Sequence, residues 1–226
     1  MTDSAPLDTA PIESAPTDST PIDTAVDLSD HYPGRHVGHE AARVRQSGAT
    51  DRNWRLGADG EQRTAELLRP LTGRTRADRL LHRPPCWRVL HSIPLDGGAS
   101  DLDHVLIGPP GICVIGTRHH RERKVLLDGD RLVVAGVETE AVPRARRDAQ
   151  RVRELLLPRL GLGSEIPIRP VVALVGATMR VRRWPDDVVV ATETALVPAL
   201  RGMARVLGPR EVAEAWEVAR WAECWR

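Results

Sequence analysis

Two apolar runs joined by a tight turn constrain this chain more than anything else in it. The first reads Asp101-Leu102-Asp103-His104-Val105-Leu106-Ile107-Gly108. After Pro109-Pro110-Gly111 the second reads Ile112-Cys113-Val114-Ile115-Gly116-Thr117-Arg118. Runs this apolar form buried strands, and so short a turn sets them side by side. An acid therefore opens one strand, and Gly116 and Arg118 end the other next to it. Asp103 also has a local explanation, because a carboxylate after a Gly-rich loop caps turns.

Periodicity places the other elements around this pair. Residues 57–69 read as a helix with Ala58, Ala65 and Leu68 on one face and Pro70 ending it. Glu61 shares that face, where a carboxylate needs a metal, an arginine or backbone donors. A place in the first helical turn would account for it equally. Residues 87–93 alternate as a strand, Asp96-Gly97-Gly98 is a turn, and 125–127 with 132–134 flank Asp128-Gly129-Asp130 as a hairpin. A helix over 142–157 aligns Ala145, Ala149, Val152 and Leu156. Residues 170–175 and 188–190 read as short buried strands, and helices are expected over 193–202 and 209–225. This order is that of an α/β protein with a mixed sheet.

The N-terminus differs. Residues 3–22 are four pentads, Asp-Ser-Ala-Pro-Leu, Asp-Thr-Ala-Pro-Ile, Glu-Ser-Ala-Pro-Thr and Asp-Ser-Thr-Pro-Ile. The repeated prolines remove backbone donors, and apolar groups are too few to offset ordering, so residues 1–50 are expected to be a disordered acidic tail and linker. His31, His36 and His39 fall there and read as solvated. Residues 1–30 hold seven acids and no Lys or Arg, leaving 32 basic against 24 acidic residues in the remainder. The formal charge of +1 thus hides a body of +8, which points to a polyanion-facing surface. Lys124 is the single lysine, and guanidinium suits phosphate contact, though a compositional bias toward arginine gives the same result.

Cys86, Cys113 and Cys224 are odd in number and widely spaced, which argues against a disulfide framework or a zinc site. The N-terminus has no apolar leader core and no apolar run is long enough to span a membrane, so the expected location is the cytoplasm, with no membrane partner.

The stretches Trp54-Arg55-Leu56-Gly57-Ala58-Asp59-Gly60-Glu61, His91-Ser92-Ile93-Pro94-Leu95, the strand pair from Asp101 to Arg118, and Arg169-Pro170-Val171-Val172-Ala173-Leu174-Val175-Gly176-Ala177 together resemble the nuclease-related domain (NERD) family. That family is a branch of the restriction-endonuclease-like PD-(D/E)xK fold. The resemblance spans roughly residues 54–200. It implies an αβββαβ core with a mixed central sheet, here a domain over 51–205 with C-terminal helices, and the residues beyond it, 206–226, read as a Trp-rich amphipathic helix. It also implies a Mg²⁺-dependent nuclease site. Glu61 and Asp103 match two of its acids, whereas its acid–x–lysine step falls on Gly116-Thr117-Arg118.

Those departures change the chemistry. Two carboxylates with waters and substrate phosphates hold Mg²⁺ only weakly. Arginine stays protonated where lysine can give up its proton, and it suits a bidentate grip on phosphate. His119, His120, Glu122 and Lys124 are candidates to replace the missing ligand. Arg144, Arg147 and Arg151 share a helix face that could track a nucleic-acid backbone, or stay solvated and paired with Asp148 and Glu154. Trp216, Trp221 and Trp225 form an apolar side that docks on the domain's own core or anchors a protein partner. Three functions fit these residues: a catalytically degenerate DNA-binding domain, a protein-interaction or structural module, and an active nuclease with displaced ligands.

Overall fold

The computed structural model describes residues 26–35, 52–73, 76, 80–81, 85–95, 100–161 and 165–226. The pentad repeat, the 36–51 linker and the 96–99 turn lie outside the described residues. Three strands form an antiparallel meander: β1 (Arg88–Leu95), β2 (Ser100–Gly108) and β3 (Gly111–Asp128), with Gly108 opposite Gly111 at the turn. Both ends of β3 find partners, which is why it runs 18 residues. Residues 112–115 pair with β2, and residues 125–128 pair with β4 (Arg131–Val134), which leads into β5 (Val137–Thr139). Helix α2 (Ala141–Leu156) returns the chain as β6 (Ile168–Arg183), parallel to β3. The expected short strand at 170–175 is thus much longer, because the extension of β3 offers it a partner as far as Arg183. β7 (Val189–Thr192) pairs with residues 171–174 of β6 and completes a seven-stranded mixed sheet. The order is the expected αβββαβ, with β4 and β5 inserted and β7 added.

Helices cover both faces. α1 (Arg52–Thr72) and α3 (Glu193–Gly202) bury Leu68, Cys113, Ile115, Val171, Leu196 and Leu200 on one side. α2 and α4 (Pro209–Ala219) bury Val105, Ile112, Val152, Leu156, Val212 and Trp216 on the other. The buried stripe of α1 is Glu61, Thr64, Leu68 and Leu71, whereas Ala58 and Ala65 are only half-buried. The expected face is therefore turned slightly, because Thr64 has a buried hydroxyl partner and Gly60 lets the helix touch β3. A Cβ at Gly60 would lie 2.9 Å from the Cβ of His119. Pro70 does not end the helix. It removes one donor, and the next turn is held by Gly73 N–H on Arg69 O at 2.9 Å and Thr72 Oγ1 on Leu68 O at 3.5 Å.

Both terminal regions correct the sequence reading. α4 stops at Ala219, and a 3₁₀ turn (Ala222–Trp225) carries Trp225 into the core, where its Nε1–H donates to Ala219 O at 2.8 Å. Trp216 and Trp225 are buried, so these side chains pack inside the domain. Trp221, packed at the edge of the same core, is covered by the guanidinium of Arg220 at 5.0 Å. Residues 26–35 are not part of a loose tail. Leu28 is buried in the α2–α4 core, its N–H donates to Arg220 O at 2.7 Å, Ala222 N–H donates to Val26 O at 2.9 Å, and Asp27 pairs with Arg220. No helix among the described residues is long and apolar enough to cross a membrane.

Candidate functional site

The pairing of β2 with β3 stops at His104 opposite Ile115, and beyond it the strands part. Parting leaves Thr117 N–H without a strand partner, and the Asp103 carboxylate fills the gap, accepting that N–H on Oδ2 at 2.6 Å. Arg118 folds back over Gly116. Its Nη1 donates to Thr117 O at 2.6 Å and stands 3.8 Å from Asp103 Oδ2. A Cβ on Gly116 would meet the two guanidinium nitrogens at 3.8 Å, ordinary contact, so the backbone has room for a side chain there and the guanidinium lies beside that space. Burial pushes the Asp103 carboxyl up, while the charge of Arg118 and the Thr117 N–H oppose the shift.

Glu61 comes to the same region from α1 and is 4% exposed. Its cover is the N-terminal strap, residues 26–35. Gly34 N–H donates to Glu61 Oε2 at 2.9 Å. Gly34 has φ of +77° and a Cβ there would lie 3.1 Å from Ala58 Cβ, so a glycine is required both by conformation and by close approach. Two more contacts hold the strap to β1: His31 Nδ1 with Ser92 O at 3.1 Å, and Arg35 N–H on Ser92 Oγ at 3.2 Å. Burial, then the negative charges of Asp103 and Asp101, push the Glu61 carboxyl up to about 8. The shift favours the protonated form of this acid.

Behind the site a buried polar chain links β1, β2, β3 and α1. His91 Nδ1 lies 2.8 Å from His104 Nδ1, His104 Nε2 lies 3.3 Å from Thr117 Oγ1, and Thr117 Oγ1 donates to Thr64 Oγ1 at 3.0 Å. With Thr117 donating forward, it accepts from His104 Nε2–H, and His104 Nδ1 accepts from His91 Nδ1–H. Both rings are then neutral, which agrees with burial lowering His91 to about 4 and His104 well below its ordinary value. The chain fixes Thr117, whose N–H fixes Asp103. Sequence reasoning missed it, since His91 stood only as part of a stretch matched to the family and Thr64 in no motif. Their only signal is polar character at positions whose spacing is that of buried neighbours.

The arginines expected on α2 lie near this site but are already paired. Arg144 reaches Asp148 at 3.6 Å, and Arg147 reaches Glu140 at 3.6 Å. Arg151 also has a partner. Asp148 is a second residue that the sequence did not single out for the site. Burial pushes its carboxyl up, Arg144 opposes, and the charges of Asp103 and Arg118 are close enough to act on it. Asp103, Arg118, Arg144 and Asp148 thus form one cluster of opposite charges.

Of the residues expected to replace a missing ligand, His119 is spent on Leu56 O at 2.9 Å, Glu122 is exposed on a positive-φ bulge, and Lys124 is exposed further along β3. His120 keeps a buried Nε2 without a hydrogen-bond partner, and burial together with Arg118 lowers its pKa.

An acid-bearing helix, a three-strand meander that parts around a second acid, and a parallel return strand define a nuclease-like α/β domain. The chain belongs to the nuclease-related domain (NERD) family, whose family model matches residues 56–175. That match runs from α1 through the first half of β6 and contains Glu61, Asp103, Gly116 and Arg118. No curated protein and no solved structure matches the chain.

The side chains present do not fit a tightly held divalent ion. Among the described residues no group of three or more His, Cys, Asp or Glu stands together as a ligand set. Each acid already has a donor from its own chain, Gly34 N–H for Glu61 and Thr117 N–H for Asp103. A fixed cation, Arg118, neutralises Asp103.

Proposed function

We propose that this nuclease-related domain binds DNA and has lost the metal-dependent cleavage that the fold implies. The observation that carries the reading is Arg118. It lies over Gly116, paired with Asp103, where the family pattern calls for an acid and a lysine. A guanidinium stays protonated, so it neither activates water nor leaves room for a cation beside it. Its chemistry is recognition of phosphate oxygens. Mg²⁺ is bound weakly or not at all by Glu61 and Asp103 in this reading, and the protein acts in the cytoplasm on nucleic acid. Burial of Trp216 and Trp225 weighs against a protein-interaction module built on the C-terminal helix.

Asp148 favours one second reading, an active nuclease whose third acid comes from α2, because it feels the charge of Asp103. One experiment separates the two. Supercoiled plasmid is incubated with wild type, Asp103→Ala and Asp148→Ala in Mg²⁺ or Mn²⁺, and binding of a labelled duplex is followed as salt rises. The DNA-binding reading expects salt-dependent binding and no cleavage that Asp103→Ala abolishes. Cleavage lost in both variants would refute it in favour of the second reading.

A further inference from the structure

Three exposed cations stand together at the far end of the sheet without an ion pair among the described residues. Beyond the bulge at 119–123, β3 and β6 continue side by side as an arm, with Lys124 opposite Thr178 and Leu126 opposite Arg180. α2 covers one face of this arm through Val125, Leu127, Val142 and Ala145. On the opposite face Lys124, Leu126, Val133, Thr178, Arg180 and Arg182 line an open depression of about 620 Å³. Lys124, Arg180 and Arg182 are exposed, and among the described residues none of them pairs with a carboxylate. On α2, by contrast, Arg144 and Arg147 are tied to Asp148 and Glu140.

We propose that this open sheet face is a second nucleic-acid contact, one that grips the phosphate backbone. The proposal rests on the DNA-binding reading and adds to it a surface far from Arg118. Residues two apart on a strand are ~6.6 Å apart and neighbouring strands ~4.8 Å, so Lys124, Arg180 and Arg182 form a line of positive charge with steps of roughly 7–8 Å. A line of unpaired cations suits an extended polyanion better than a single small anion. The floor between them is aliphatic, Leu126 and Val133, and no aromatic ring lines it. Contact there is therefore electrostatic and indifferent to base sequence, since neither stacking nor groove readout is available. Beyond residue 174, β6 has no neighbour on its outer side among the described residues. Charged side chains also protect such an edge from pairing with another chain, which calls for a check that variants keep the oligomeric state of wild type.

The test uses the full chain and a labelled 20-base-pair duplex, with anisotropy measured from 50 to 200 mM NaCl. Lys124→Glu with Arg180→Glu and Arg182→Glu is compared with Arg144→Glu plus Arg147→Glu, and with a Lys124→Arg, Arg180→Lys, Arg182→Lys form that keeps the charge. The expected result is at least a tenfold weakening by the triple reversal at 50 mM salt. The slope of log affinity against log salt should be shallower by about 2.7, from three lost phosphate contacts at ~0.9 each. The charge-keeping form should bind like wild type. Wild-type binding that the triple reversal leaves unchanged overturns this proposal and spares the DNA-binding reading. If that result comes with a larger hydrodynamic radius, the face belongs to the chain's own acidic N-terminus. No binding by wild type at 50 mM salt overturns both.

Discussion

Glu61→Gln is the substitution from which the most can be computed. The carboxyl is 4% exposed, accepts Gly34 N–H, and lies in the field of Asp103 and Asp101. Its pKa rises from 4.5 to about 8 on folding. An acid with a raised folded pKa adds stability below its unfolded pKa and loses it as pH climbs through the folded one. The window here is therefore 4.5 to about 8. Across the whole window the linkage amounts to about 5 kcal/mol, of which about 3 kcal/mol falls between pH 5 and pH 8. Glutamine keeps the shape and an acceptor for Gly34 but cannot ionise. The stability of the variant minus that of wild type should grow by about 3 kcal/mol from pH 5 to pH 8. His91, lowered to about 4 in the fold, works in the opposite direction between 4 and 6.5. It is present in both proteins and cancels in the difference. Urea unfolding followed by fluorescence of the buried Trp216 and Trp225 measures both stabilities. A difference constant within about 0.5 kcal/mol, the ordinary scatter of additive substitutions, would show that Glu61 ionises normally and that the strap does not bury it.

Gly34→Ala should loosen the strap, because its φ of +77° and the 3.1 Å approach to Ala58 both resist a Cβ. A loss of about 1–2 kcal/mol is expected, with faster amide exchange in residues 26–35 and no change in β3; uniform loss of protection would refute a local effect. Gly116→Asp with Arg118→Lys removes the fixed guanidinium and supplies the missing acid where the backbone has room. Calorimetric titration should then show tighter Mn²⁺ binding than in wild type, and no gain would count against placing the site at Asp103. Trp225→Ala empties a fully buried position and strands Ala219 O, so it should cost about 3–5 kcal/mol in the same urea assay.

Strand and helix order was legible because burial leaves a period in the chain. The strand pair, the α2 stripe of Ala145, Ala149, Val152 and Leu156, and the α3 span all stand where their spacing puts them. Lengths were less legible. A strand extends as far as its neighbours allow, and β6 reaches Arg183 only because β3 is there to pair with it. The strap was illegible for a related reason. Asp27, Leu28 and Gly34 look like linker residues until Arg220, the α4 core and Glu61 stand opposite them, and each of those contacts spans more than twenty residues of chain.

The candidate site shows where local reading stops. Gly116 and Arg118 were visible as departures from a family pattern, but their relation to each other was not. In the fold they act together, since the glycine leaves the space beside which the arginine lies and the arginine supplies the positive charge that Asp103 faces. Restoring either residue alone would be unfavourable. An acid at 116 would join Asp103 and Asp148 beside the same two guanidiniums, Arg118 and Arg144, and a lysine at 118 would keep a charge but lose the fork that also binds Thr117 O. Buried charges come in compensated sets, so one member cannot return without the others. The same requirement bears on Glu61, which pairs with no cation among the described residues and meets the need for compensation through a raised pKa and the strap's N–H.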